Sequence, residues 1–290
     1  MKNIIFSIFI DIPEDKLDNP GWYENDVQVK TNKSLETKNS LKDNKWKIID
    51  RQQAYAKSIN SAYICVDSPE IYNEWANEFR NLYPEISEYD IINFYKHHCM
   101  REYANEYDAV CYIDFDVIPN TDENIFYAHD IDIKFGCAHS NDRAVWGKTV
   151  SAEEYNTCIR NPATKYWNAH AMLLEEGYDP ENDVFNTGIM IASSKVIKHL
   201  DYFKDFRKNL DLMTHLKSDK DSMYPHNIQR VFGYDNETLF SYIVTSREIQ
   251  IQYLDSKWHY IVDEKFDGLN RLDPSAKMYH FINKKMEWVL

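Results

Sequence analysis

Short apolar runs alternate along the chain with segments in which apolar residues return at helical spacing. The runs predict β-strands, and the periodic segments predict amphipathic helices. We expect strands at Asn3–Ile12, Ala62–Val66, Asp108–Ile113, Ile131–Ala138, Val184–Ala192, Ile249–Leu254 and Lys277–Ile282. We expect helices at Trp46–Ser58, Glu70–Leu82, Tyr89–Glu106, Ala163–Glu176, Ser194–Leu210 and Asp235–Thr245. This alternation predicts an α/β fold, with a mixed, mostly parallel sheet flanked by helices.

One polar stretch interrupts the pattern. Residues Glu14–Asn44 are rich in Lys, Asn and Asp and show no regular apolar spacing, so we expect a long loop or an insertion there. The chain shows no internal repeat, no low-complexity tract and no linker between independent parts. We therefore expect residues 1–290 to form a single domain.

The composition narrows the class of function. The formal net charge is −14, and so acidic a chain repels phosphate backbones, so we expect no nucleic-acid partner. Only seven glycines occur, and none lies within GxGxxG or GxxxxGK[ST], which disfavours ordinary dinucleotide-binding and P-loop enzymes. The five cysteines are odd in number and form no CxxC pair, which argues against a disulfide framework or a zinc site and favours a reducing compartment.

Targeting signals are not evident. No stretch approaches the ~20 apolar residues of a membrane-spanning helix, so we expect no transmembrane segment. The apolar segment Lys2–Asp11 is short and is not followed by a small-residue cleavage site, so it is better explained as a first buried strand than as a signal peptide. We expect a soluble, cytoplasmic protein, and the frequent Lys, Asn and Ile are typical of an AT-rich genome such as that of a microbe or a virus.

The acidic pair Asp114-Phe115-Asp116 follows the apolar run Val110–Ile113 directly. In an extended chain, side chains two positions apart point to the same side, a few ångströms from each other. Two like charges at that spacing repel each other unless a cation lies between or beside them. Mg²⁺ and Mn²⁺ bind one or two carboxylates together with phosphate oxygens, at the strand ends where open α/β sheets place ligands. The pair thus predicts a metal site for a diphosphate, and the alternative is a polar turn capped by Asp116.

Four further segments, in order along the chain, resemble the retaining GT-A glycosyltransferases of the glycogenin and lipopolysaccharide-galactosyltransferase group. They are the helix led by Lys96, Asp183–Met190, Tyr234–Phe240 with the nearby Lys257–His259, and Met278–Trp288. The resemblance covers most of the chain beyond residue 90. It implies a GT-A, Rossmann-like fold and transfer of a hexose-type sugar, with retention, from a nucleotide-diphosphate sugar. A UDP-sugar is favoured as donor, and the acceptor is a hydroxyl of a glycan, a lipid or a protein.

The resemblance also assigns roles to individual residues. It implies that Asp114, Asp116 and His280 bind the metal, a mixed oxygen and nitrogen set that suits Mn²⁺ or Mg²⁺. It makes Asn186 and Asp235 the candidate catalytic residues near the donor sugar. The candidate donor-binding residues are Lys96, Asp11, Asp114, Lys284 and Lys285. The halves around Asp116 are then a nucleotide-sugar-binding half, about residues 1–120, and an acceptor-facing half, about residues 121–290.

The sequence departs from the family pattern near its end. Asn283 replaces a glycine, Met286 stands at the position of a phosphate-binding lysine, and Glu287 replaces a proline. Lys284 or Lys285 is then the candidate for the diphosphate contact.

Two other functions remain open from the sequence. A phosphohydrolase of the haloacid-dehalogenase type also has two aspartates after an apolar strand, the first as covalent nucleophile. A non-catalytic protein that binds a glycan or a partner would use the same cleft. His97, His98 and His226 lack any supporting motif, and we expect them to be structural.

Overall fold

Two β-sheets and the helices around them make up the described part of the chain. The structure, a computed structural model, describes residues 2–13, 30–140, 162–221, 224, 229, 232–262, 272–282, 284, 286 and 289–290. The strands in these ranges are β1 (Asn3–Ile8), β2 (Ala62–Val66), β3 (Ala109–Ile113), β4 (Val117–Pro119), β5 (Phe135–His139), β6 (Phe185–Ser193), β7 (Ile251–Tyr253), β8 (Tyr260–Val262) and β9 (Met278–Phe281). The helices are α1 (Lys30–Ser58), α2 (Pro69–Leu82), α3 (Glu88–Tyr103), α4 (Ile125–Ala128), α5 (Pro162–Glu175), α6 (Ser194–Leu200), α7 (Phe206–Ser218) and α8 (Asn236–Ser246).

The larger sheet has the strand order β2-β1-β3-β6-β5-β7. β6 pairs antiparallel with both of its neighbours, and the other pairs are parallel, so five of the six strands run in one direction. Both faces are covered, because Ile4 and Phe6 of β1 belong to one core cluster while Ile5 between them belongs to another. A strand buried on both faces is read in sequence as a continuous apolar run. The predicted α/β fold with a mixed, mostly parallel sheet is confirmed.

Short polar caps start the helices that follow the strands. The hydroxyl of Ser68 accepts a hydrogen bond from the amide of Ile71 at the start of α2, with Pro69 at the first helical position. The carboxylate of Asp235 accepts hydrogen bonds from the amides of residues 237 and 238 at the start of α8. Asp235 is thus the N-cap residue of α8.

A second sheet of three strands, in the order β4-β9-β8, joins the middle of the chain to its last part. β4 pairs antiparallel with β9, which places Val117 opposite His280. β8 pairs parallel with β9, which places Ile261 beside His280. Neither β4 nor β8 was expected from the sequence, since three residues are too few to show a period. This small sheet positions His280 next to the end of β3.

The prediction of a loop over Glu14–Asn44 is wrong for its second part, because α1 already begins at Lys30. This part of α1 is polar, so it lacks the apolar stripe by which a helix is recognised in a sequence. Tertiary contacts hold it instead: the ammonium groups of Lys38 and Lys42 pair with Asp11 at 3.0 Å each. Residues 14–29 lie outside the described residues.

The prediction of one helix over Ser194–Leu210 is also wrong. The chain forms α6 and α7 instead, and the break lies at Asp201 and Asp205, whose φ angles of 40° and 60° are left-handed. A left-handed residue cannot continue a right-handed helix, and aspartate adopts this conformation more readily than most residues. None of the described helices combines the length and apolar character that crossing a membrane requires.

Candidate metal centre

Asp114, Asp116 and His280 meet at the edge of the main sheet where β3 ends. Asp114 follows β3 directly, and Asp116 precedes β4, which pairs with the strand that carries His280. One ligand atom from each of the three side chains lies within 4.8 Å of the others. The Nε2 atom of His280 lies 3.4 Å from Oδ2 of Asp116 and 3.6 Å from Oδ2 of Asp114. The structure thus brings the three predicted metal ligands together.

The carboxylate of Asp116 is buried and has two cationic or potentially cationic neighbours. Its Oδ2 atom forms an ion pair with the ammonium group of Lys284 and lies 3.4 Å from Nε2 of His280. Burial alone would raise the pKa of Asp116, but the charges of Lys284 and His280 hold this pKa well below its ordinary value. Asp116 is therefore ionised at neutral pH and is available as a metal ligand.

Lys96 of α3 is buried beside Asp114. Its Nζ atom donates a hydrogen bond of 2.7 Å to the hydroxyl of Thr187 and lies 4.0 Å from Oδ1 of Asp114. Behind it, Glu237 accepts hydrogen bonds from the amide and the hydroxyl of Thr187, and it forms an ion pair with Lys165. Burial would raise the pKa of Glu237, but the ammonium groups of Lys165 and Lys96 lower it to about 2. Sequence reasoning missed Glu237, which looks like an ordinary acid in the first turn of a helix.

Gln52 of α1 holds the segment that contains the acidic pair through hydrogen bonds. The side-chain amide of this fully buried residue donates to the carbonyl oxygens of Val117 at 2.9 Å and Asp114 at 3.3 Å. Its own oxygen accepts a hydrogen bond of 2.8 Å from Tyr63. From the other side, the hydroxyl of Tyr112 donates to Oδ1 of Asp114. Gln52 was also missed, although its place on the apolar stripe of its helix was a visible signal.

The ring of His280 is held between two neighbours. Its Nδ1 atom lies 2.8 Å from Nε2 of His259, which is equally buried. Burial, reinforced by His280, lowers the pKa of His259 well below its ordinary value, so this ring is neutral. On β6, a Cβ atom added to Gly188 would lie only 2.5 Å from Cε1 of His280. Gly188 therefore leaves the space that the imidazole occupies.

The two candidate catalytic residues have local hydrogen bonds at the same edge of the sheet. The Oδ1 atom of Asn186 accepts a hydrogen bond of 2.8 Å from the amide of Gly188, two positions further along β6. The carboxylate of Asp235 is buried and caps α8 through the amides of Glu237 and Thr238. Both residues shape the backbone around the centre.

The structure places the remaining candidates as follows. Asp11 lies beyond the end of β1 in ion pairs with Lys38 and Lys42, which hold its pKa below its ordinary value. Among the described residues, its ion pairs are with α1, and none joins it to the acidic pair. Lys284 contacts Asp116, as described above, and Lys285 lies outside the described residues.

Two of the three histidines expected to be structural are described, and both pack against aromatic rings. His97 is buried and stacks on Tyr202 with 3.8 Å between ring centroids. Burial lowers the pKa of His97 well below its ordinary value. His98 stacks on Trp75 at 5.2 Å. The third, His226, lies outside the described residues.

Comparisons with known proteins add structural neighbours only. No protein-family model matches the chain, and no curated protein matches it. The galactosyltransferase LgtC, solved with donor and acceptor sugar analogs, is similar with a TM-score of 0.45 and 13% identity, over 97% of this chain and 87% of that one.

Two more solved structures are similar. A glycosyltransferase involved in glycosylation of the major capsid of PBCV-1 has a TM-score of 0.41 and 14% identity, over the full length of both chains. Mouse xyloside xylosyltransferase 1 has a TM-score of 0.41 and 12% identity, over 77% of this chain and 75% of that one. These neighbours are glycosyltransferases by name.

Proposed function

We propose that this chain is a metal-dependent glycosyltransferase that moves a hexose-type sugar from a nucleotide-diphosphate sugar to a hydroxyl acceptor. The observation that carries the proposal is the approach of Asp114, Asp116 and His280 to within 4.8 Å at the end of a buried strand. Open α/β sheets bind their ligands at this edge. A UDP-sugar is the favoured donor, and the acceptor is a glycan, a lipid or a protein.

The chemistry of the three side chains fits a divalent cation. Two carboxylates and an imidazole form a mixed oxygen and nitrogen set, which suits Mn²⁺ and accepts Mg²⁺. Asp116 is ionised, and Nε2 of His280 faces both carboxylates. Both observations support binding of a cation by the three side chains. When bound, the cation would neutralise the charge that develops on the departing nucleoside diphosphate.

The lysines of the centre take different roles in this proposal. Lys284 forms an ion pair with Asp116 at the edge of the metal cluster. From there its ammonium group can turn to a diphosphate oxygen and stabilise the leaving group. Lys96 is almost fully buried and hydrogen-bonded to Thr187. It therefore positions Asp114 and places a positive charge on the buried side of the metal cluster. We therefore give the diphosphate contact to Lys284.

Asn186 and Asp235 frame the region next to the metal cluster in this proposal. The carbonyl oxygen of Gly188, two positions after Asn186, accepts a hydrogen bond of 2.7 Å from the amide of Asp114, so the end of β3 lies beside the start of β6. We infer that Asn186 contacts the donor sugar. We also infer that Asp235 orients the start of α8 near that sugar. We also propose that the transfer retains the anomeric configuration, by front-face attack assisted by the departing phosphate. The nucleotide then lies over the half formed by about residues 1–120.

Release of nucleoside diphosphate tests the proposal. The full chain is incubated with a panel of UDP-, GDP- and ADP-hexoses, with and without Mn²⁺, and the released diphosphate is measured. We expect release from one donor, only with metal, and a loss of at least about 100-fold in Asp116→Asn, on the scale of removing an electrostatic catalytic group. The matched control is Asp122→Asn, an exposed aspartate outside the cluster, which should keep the activity.

Other outcomes would contradict the proposal. Phosphate release from a phosphomonoester, lost in Asp114→Asn, would indicate the haloacid-dehalogenase type of phosphohydrolase. Glycan binding without diphosphate release from any donor would indicate a binding protein. Donor turnover that is independent of metal and unchanged in Asp116→Asn would separate the activity from this cluster.

A further inference from the structure

Two buried imidazole rings lie against each other behind the metal cluster. The ring centroids of His259 and His280 are 5.0 Å apart, and the ring planes differ by 21°. Nε2 of His259 lies 2.8 Å from Nδ1 of His280, a normal hydrogen-bond length. Both residues are about 5% exposed. This hydrogen bond leaves the other nitrogen of His280, Nε2, turned toward the two carboxylates.

The backbone fixes this arrangement from both sides. Asp255 accepts hydrogen bonds from the amides of Lys257 and Trp258 and closes a tight turn that ends at His259. β8 begins at the next residue, and its pairing with β9 places Ile261 beside His280. His259 is the last residue of the turn, two positions before Ile261, and its ring lies next to that of His280. The turn and the strand pairing thus bring the two rings together.

The proton on His280 decides whether the ring can bind a cation. A neutral imidazole carries one proton, and the nitrogen that binds a metal must be free of it. If Nε2 is to bind, the proton must lie on Nδ1, and the group facing Nδ1 must accept a hydrogen bond. The group at that position is Nε2 of His259. In the described part of the chain, Nδ1 of His259 is buried and has no hydrogen-bond partner, so the pair depends on this one bond.

We propose that His259 is a positioning residue that accepts the Nδ1 proton of His280 and so holds the Nε2 lone pair of His280 toward the metal. The inference rests on the proposed function, because it takes the cluster to be a metal site. Partners of metal-bound histidines usually are carboxylates, backbone carbonyls or water, and they fix ring orientation and tautomer. Here a second histidine takes that role.

Metal binding alone tests the inference without any sugar transfer. Mn²⁺ affinity is measured by electron paramagnetic resonance for the wild type, His259→Leu and His259→Gln. Leucine cannot accept a hydrogen bond, and we expect His259→Leu to bind Mn²⁺ about 10–100-fold more weakly, the usual effect of losing such a partner. The side-chain oxygen of glutamine can reach the position of Nε2 and accept there, so His259→Gln should stay within about threefold of the wild type.

The matched control is His97→Leu, which makes the same substitution at an equally buried histidine that stacks on Tyr202. Its Mn²⁺ affinity should equal that of the wild type. A second readout needs no variant: ¹⁵N spectra of the histidine-labelled wild type with Mg²⁺ should show His280 protonated at Nδ1 and His259 unprotonated at Nε2. This readout holds even if His259→Leu fails to fold.

The outcomes separate the two proposals. If the wild type binds no Mn²⁺ or Mg²⁺, the metal site and the proposed function both fail. If the wild type binds Mn²⁺ and a folded His259→Leu binds it equally well, the positioning role is wrong while the metal site stands. A proton on Nε2 of His259 in the Mg²⁺-bound protein would also overturn the positioning role.

Discussion

Gly188→Ala should disable the metal centre by displacing the ring of His280. An added Cβ would lie 2.5 Å from Cε1 and 2.8 Å from Nδ1 of His280. Nonbonded carbon atoms approach favourably only to about 3.5–4.0 Å, so the ring or the strand must move by about 1 Å. The ring has little room to retreat, because His259 lies 2.8 Å from it on the other side.

Two effects should follow from this overpacking. We expect a loss of about 1–3 kcal/mol in the free energy of unfolding, the usual cost of an extra methyl in a packed interior. We also expect Mn²⁺ affinity to fall by at least about 10-fold, because a ligand atom displaced by about 1 Å no longer fits the coordination distance of the cation. Urea denaturation measures the first effect, and calorimetric titration with Mn²⁺ measures the second.

Two controls show whether the effect passes through the ring of His280. Gly136→Ala makes an equally close contact, 2.5 Å, with the side chain of Ile191 on the same sheet, and it should lower stability without changing metal affinity. In a His280→Ala background, the alanine at 188 should cost much less, which a double-mutant cycle detects as a coupling of about 1–3 kcal/mol. Wild-type Mn²⁺ affinity in Gly188→Ala, or no coupling to His280, would refute the reasoning.

Two further predictions concern the buried supports of the site. Gln52→Leu leaves the carbonyl oxygens of Asp114 and Val117 without their buried donor, and we expect a loss of about 1–3 kcal/mol in urea denaturation together with weaker Mn²⁺ binding; unchanged stability would contradict this. The pKa of Glu237 is about 2 in the folded chain, against an ordinary value of 4.5. Its contribution to the free energy of unfolding is therefore fully present above about pH 4.5 and is lost as the pH falls toward 2. The full contribution is on the order of 3 kcal/mol. The stability difference between the wild type and Glu237→Gln should therefore shrink from pH 5 to pH 2.5, and a constant difference would contradict the assignment.

The sequence predicted the elements that bury an apolar run and missed those that do not. The strand that ends at Asp114 is recognisable because all five residues of β3 are buried. The polar start of α1 cannot be predicted from hydrophobic periodicity, because it is held by ion pairs to Asp11 that depend on the tertiary structure. The break between α6 and α7 rests on left-handed backbone at Asp201, a choice that the local sequence permits but does not require.

The same distinction holds within the site. Asp114 and Asp116 were predicted from their own spacing, and His280 was added only through a resemblance. Gln52 and His259 were not predicted, because their roles depend on strand pairing and on a helix from elsewhere in the chain. A polar residue on an apolar stripe, as Gln52 is, signals a buried partner without saying which one.

The charges around the centre should make a cation bind more tightly together with a diphosphate than alone. The buried or half-buried carboxylates of Asp114, Asp116 and Glu237 lie among three ammonium groups, those of Lys96, Lys165 and Lys284. This set is balanced before anything binds, which makes the burial of each charge tolerable. A divalent cation alone would upset the balance, and so would a diphosphate alone, whereas the two together add almost no net charge. If Lys284 leaves Asp116 as the cation arrives, its ammonium group can contact the diphosphate that comes with it. The centre is therefore suited to a metal–nucleotide complex, and metal and donor should assist each other's binding.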